Sequence, residues 1–194
     1  MADFTAIHSV GKSLEQFLEN SFPQDLKTKF SPVKFQLVAS AQIAEEDHTA
    51  LDQLVTIFLH RITINENFRA ATCLQNDGGK KPVLFVDLHY LITYWGVDPE
   101  AEQTILGWVM TQLQSSPILD NSVLVPSKIW GRDESVQLVP ADLSLEDILR
   151  IWDALGPKYR LSLCYIARVV RLDVSVTPGV PVVATRFQYT GEGQ

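Results

Sequence analysis

A chain of 194 residues, 46% hydrophobic and 20% charged, can close a core without disulfides or a structural metal, and its balance is that of a folded domain. The formal net charge is −7, from 16 basic against 23 acidic residues. The basic residues form no long run, which argues against nucleic acid, whose phosphates call for a basic footprint. No basic stretch near the start leads into an apolar one, and no run of about 18 apolar residues occurs. Neither a secretory signal nor direct membrane insertion is therefore expected, and the default location is cytoplasmic.

The first element is a helix. Ile7, Val10, Leu14, Phe17 and Leu18 recur at helical spacing, Asp3 or Thr5 offers a cap, and Phe22-Pro23 closes it. After Pro32, residues 33–37 alternate apolar and polar as a half-buried strand does. Glu45 to His48 reads as a polar turn. Leu54–Ile64, rich in Val, Ile, Phe and Thr, is a long strand. Asn65–Pro82 is a connection holding the exposed turn Asn76–Lys81 and a short helix around Phe68–Leu74.

Val83–Trp95 is the next strand, with Leu84, Val86, Leu88, Tyr90, Ile92 and Tyr94 on one face and Asp87, His89 and Thr93 on the other. It is expected to pair antiparallel with Leu54–Ile64. Asp98-Pro99-Glu100 opens a helix whose stripe is Ile105, Leu106, Val109, Met110 and Leu113, stopped by Pro117. Residues 118–135 look irregular and Val136–Pro140 is a short strand. Ser144–Asp147 resembles a capping box before the stripe Leu145, Ile148, Leu149, Trp152 and Leu155, and Gly156-Pro157 ends that helix. Tyr159–Asp173 alternates as a long strand.

From Val174 to Tyr189 the character changes. Val174, Val176, Val180, Val182, Val183, Phe187 and Tyr189 are interrupted by Pro178, Gly179 and Pro181. The segment is extended and apolar, and its prolines exclude a regular central strand. The element order predicts an α+β domain over residues 1–173, with helices packed on a mainly antiparallel or mixed sheet, followed by an extended C-terminal arm over 174–194.

No candidate chemistry outweighs a structural explanation. His8, His48, His60 and His89 include no i, i+4 pair. His60 and His89 can meet across adjacent strands, but a metal needs further ligands. Asp87 and His89 share a strand face, and an acid–base role for them would require a pocket. Gly78–Lys81 lacks the rest of a phosphate-binding loop and precedes a strand. Cys73 and Cys164 stand outside any CxxC spacing, as in a reducing compartment, with Cys164 a small core residue. Of the tryptophans, Trp152 belongs to a core stripe, whereas Trp130, in an irregular segment, is the better surface anchor. No catalytic, cofactor-binding or metal-binding residues are expected, and the arm with Trp130 is the candidate partner-binding set.

Several ordered segments resemble one family. They are Ile62–Asn67 with Arg69, Asp87–Trp95 (DLHYLITYW), Glu102–Trp108 (EQTILGW) with Pro117–Leu119, and Ser144–Tyr165 with Ala167–Val170. These are similar to the N-terminal domain of the tail-terminator, or cap, proteins of phage-tail-like contractile injection systems, over about residues 1–173. Some relatives carry a longer C-terminal extension that is missing from this sequence.

The resemblance implies a non-enzymatic ring, six-fold, at the baseplate-distal end of the inner tube. Such a ring contacts tube and sheath proteins, ends polymerisation and couples the two cylinders, in a particle that is either released or membrane-anchored. It assigns no cofactor and no catalytic residue. The alternative is an adaptor that recruits effectors or anchors the particle to a membrane.

Overall fold

The computed structural model describes residues 4–30, 32–45, 53–65, 83–131 and 134–174. Helix α1 (Ala6–Ser21) starts at Thr5 and stops at Phe22-Pro23, and the short α2 (Gln24–Lys29) follows. Strand β1 (Val33–Val38) leads into α3 (Ser40–Glu45). Strands β2 (Gln53–Ile64) and β3 (Val83–Trp95) pair antiparallel, as the sequence predicts. Helix α4 (Pro99–Ser115), β4 (Ile118–Leu119), β5 (Val136–Pro140), α5 (Leu145–Leu155) and β6 (Ser162–Asp173) complete the described elements.

The six strands form one sheet in the order β1-β2-β3-β6-β5-β4. Among the described strands only β1 and β2 run parallel, and every other neighbouring pair is antiparallel. The α+β expectation and its mixed sheet therefore hold. Helices α2 and α3 were not anticipated, because six residues each give too little periodicity to read.

Two hydrophobic layers sandwich part of the sheet. On one face Val10, Leu14 and Leu18 of α1, with Ile105, Val109 and Leu113 of α4, meet Val55, Ile57, Leu88, Tyr90 and Ile92. On the other, Ile43 of α3 and Trp152 of α5 meet Leu54, Phe58, Leu91, Trp95 and Cys164. Residues 90–95 of β3 are consequently buried on both faces, and the alternation read from the sequence survives only in its first half.

The caps of α4 and α5 are those the sequence indicates, whereas Thr5 makes no side-chain capping bond at the start of α1. The Asp98 side chain accepts the Glu100 N–H, and the Ser144 hydroxyl accepts the Asp147 N–H at 3.1 Å. Three expected core positions face solvent: Met110 on α4, and Leu145 and Leu149 on α5, with Leu145 65% exposed. The last strand begins at Ser162, three residues later than expected. Arg160 is drawn away, donating to the Gly96 carbonyl at 2.9 Å and lying over the Trp95 ring. Asp3, His48, the turn Asn76–Lys81, the helix expected at Phe68–Leu74, Cys73 and the arm after Val174 lie outside the described residues.

Candidate interaction surface

The chemically suggestive residues come together, but as a device for bending strands. In the β3–β6 pairing Leu88 faces Ala167 and Val86 faces Val170, so that two residues, Arg168 and Val169, stand opposite Asp87. This is a β-bulge. Val169 sits at φ 60, a conformation that a β-branched residue rarely takes. The Asp87 carboxylate holds it there, accepting the Val169 N–H at 2.8 Å and the Asn65 side-chain amide at 3.0 Å.

A second irregularity lies across β3. Leu59 faces Tyr90 and Arg61 faces His89, leaving His60 as the extra residue of β2. The His60 and His89 rings do meet, edge to face, with centroids 6.0 Å apart. His89 Nε2 shares a hydrogen bond with the Thr63 hydroxyl at 2.9 Å. Burial, with His89 and Arg61 nearby, lowers the His60 pKa from 6.5 to about 4, and burial and Arg61 lower that of His89. In both rings burial thus disfavours the charged form. Among the described residues no three His, Cys, Asp or Glu side chains stand close enough to hold a metal ion.

Trp130 is not at the surface. It is 6% exposed and donates its indole N–H to Ser9 Oγ at 2.7 Å. Ser9 Oγ in turn donates to the Val125 carbonyl, and Ser13 Oγ accepts the Val125 N–H at 2.8 Å. Two serines of α1 thus staple the irregular segment 120–131 onto the helix and carry Trp130 into the core. The glycine and the lack of periodicity around it made it look exposed; the partners that bury it lie some 120 residues earlier in the chain. Val174 is the one arm residue among those described, and it is exposed.

Among the described residues the surface offers apolar contact area instead. Leu145 and Leu149, one turn apart on α5, are exposed, as are Ile62 and Ile64 near the end of β2. A groove of about 710 Å³ opens between α1, the end of β1 and Phe58–His60. No described helix is long and apolar enough to cross a membrane.

The described residues thus form a mixed sheet in which the converging polar side chains are structural and several apolar side chains are exposed. The chain is a member of the Pvc16 N-terminal domain family, whose pattern matches residues 9–185 and so runs past Asp173 into the expected arm.

Two solved structures share the fold. The sheath/tube terminator of the extracellular contractile injection system PVC, in its extended state, superposes with a TM-score of 0.58 at 20% identity, over 96% of this chain and 65% of that one. The tube-terminating cap of the anti-feeding prophage gives 0.55 at 19% identity, over 93% of this chain and 60% of that one. The chain spans less than two thirds of the length of either. No curated protein matches it.

Proposed function

We propose that this protein terminates the tube and sheath of a contractile injection system. In this reading copies of the chain form a ring, six-fold by analogy, on the baseplate-distal end of the inner tube. The ring stops addition of further tube and sheath subunits and couples the two cylinders. The observation that carries the reading is membership of the Pvc16 N-terminal domain family over residues 9–185, joined to a fold shared with two structures described as terminators.

The role is structural and not catalytic. The titratable side chains that converge, Asp87, His60 and His89, serve two strand bulges, and Asp87 is committed to backbone and amide donors. The arm residues Val174, Val176, Val180, Val182, Val183, Phe187 and Tyr189 are the handle on a neighbour: an extended apolar segment suits pairing with an open strand edge.

Purified protein added to polymerising tube and sheath subunits tests the reading. Gold-labelled chain should decorate one end of each particle, the end away from the baseplate, and growth there should cease. Decoration along the sides, or binding to effectors or lipid vesicles without tube or sheath, would contradict it.

A further inference from the structure

The two halves of β2 are held differently. Val55 and Ile57, in the half that pairs with both β1 and β3, are fully buried. Ile62 and Ile64, opposite Leu88 and Val86 of β3, are 48% and 55% exposed. Burial of apolar area therefore contributes little beyond the bulge at His60, and segments of that kind open without unfolding the whole domain. Among the polar fastenings there, the Thr63 hydroxyl meets His89 Nε2 at 2.9 Å and the Asn65 side-chain amide donates to Asp87 at 3.0 Å. Both of these run to β3.

The bulge gathers groups that carry or can acquire positive charge. The His60 and His89 rings lie 6.0 Å apart, and Arg61 stands opposite His89. On β6, Arg168 follows two residues after Ile166, the partner of His89. Helix α5 brings Asp147 and Arg150 to a groove shared with His60 and Arg61, and Arg150 is paired with Glu146. The larger groove bordered by His60 receives His8 from α1 and the uncharged Ser40 and Gln42 from α3. Two carboxylates face the pair of rings, and each is already engaged. Asp87 accepts from Asn65 and the Val169 N–H, and Asp147 from the Ser144 hydroxyl. Among the described residues no ion pair joins a carboxylate to His60, His89 or Arg61.

We infer that His60 and His89 form an acid-operated latch on β2: when both rings take up protons, Arg61–Asn65 lets go of β3 while the two hydrophobic layers stay packed. Each proton sets a cation beside Arg61 and beside the other ring, with no unengaged carboxylate to answer it. Burial disfavours the charged form of both rings, so each takes a proton more readily once it reaches water. While the strands stay paired the first proton opposes the second; once they part it no longer does. Uptake and opening are therefore coupled. Release also takes the Asn65 amide from Asp87, one of the contacts that fix that carboxylate against the Val169 bulge, so acid at β2 is felt in β6.

Hydrogen exchange of the full chain, with each rate divided by its intrinsic chemical rate at the same pH, tests the latch. Between pH 7.5 and 5 the protection of Arg61–Asn65 should fall about ten-fold or more, while that of Val109–Leu113 in α4 stays within about two-fold. The double variant H60Q/H89Q should keep its protection at Arg61–Asn65 across the same range. The Cε1–H resonances of the two rings supply a readout on the unmodified chain. Both should titrate below 6.5, in step with the loss of protection, and this decides the matter if H60Q/H89Q does not fold. Equal loss of protection in a folded H60Q/H89Q overturns the inference. So does loss spread evenly into α4, which is global acid unfolding, or a ring that titrates at its ordinary value while Arg61–Asn65 stays protected.

Discussion

Asp87 Oδ1 accepts the backbone N–H of Val169 at 2.8 Å, fixing the left-handed turn of a β-branched residue in the middle of the β3–β6 ladder. A strained residue of this kind persists only when its surroundings over-determine it. Here a carboxylate and the Asn65 amide do so. Replacing Asp87 by Ala should cost about 2 kcal/mol, the scale of hydrogen bonds to a charged group. Val169→Asn, which tolerates the left-handed region, should stabilise by about 1 kcal/mol. Urea unfolding of the two variants checks both signs.

His60 gives stability a pH dependence. Its folded pKa, about 4, lies below the ordinary 6.5, so between those values the unfolded chain binds the proton and the folded chain does not. Stability therefore rises with pH across that window and is lost as pH falls from 6.5 toward 4. Carboxylates contribute their own acid sensitivity, so the informative quantity is a difference. His60→Gln should flatten the loss between pH 6.5 and 5 relative to the unmodified chain, read from urea midpoints at each pH. An unchanged slope would mean that His60 charges freely in the folded state.

Trp130 should behave as a core residue in every assay. Trp130→Phe keeps the bulk and deletes the N–H to Ser9, at a cost of about 1 kcal/mol. Trp130→Ala should cost roughly 3–5 kcal/mol by opening a cavity. Trp130→Phe should still assemble normally. Loss of assembly by a fully folded Trp130→Phe protein would restore it to the partner surface.

The ends of α5 supply a local test. The Ser144 hydroxyl caps the helix and Gly156 leaves it at φ 94. Ser144→Ala should cost about 1 kcal/mol. Gly156→Ala should cost on the order of 1–2 kcal/mol, because a Cβ disfavours that backbone region even where space is open. Thermal melts monitored by circular dichroism read both.

The long elements were legible in the sequence because each carries its own signal. The stripe Val10, Leu14 and Leu18 announced α1, the run Val83–Trp95 announced β3, and Ser144 with Gly156 bracketed α5. What escaped depended on distant partners. The bulges at His60 and Val169 arise from register against β3, which no local pattern encodes. The burial of Trp130 depends on Ser9 and Ser13, two small polar residues on the inner face of α1 whose spacing resembles ordinary surface variation. The parallel pairing of β1 was likewise invisible, and with it the place where β1 stops against β2. The family itself was readable because its motifs, such as Asp87–Trp95 and Ser144–Tyr165, are contiguous.

The terminator assignment is tested most directly by electron microscopy of particles assembled with and without this chain. The account predicts that particles lacking it carry tubes of uncontrolled length or sheaths that detach at the baseplate-distal end, and that supplying the chain restores a uniform, capped end. Particles of normal length with an intact cap in its absence would contradict it.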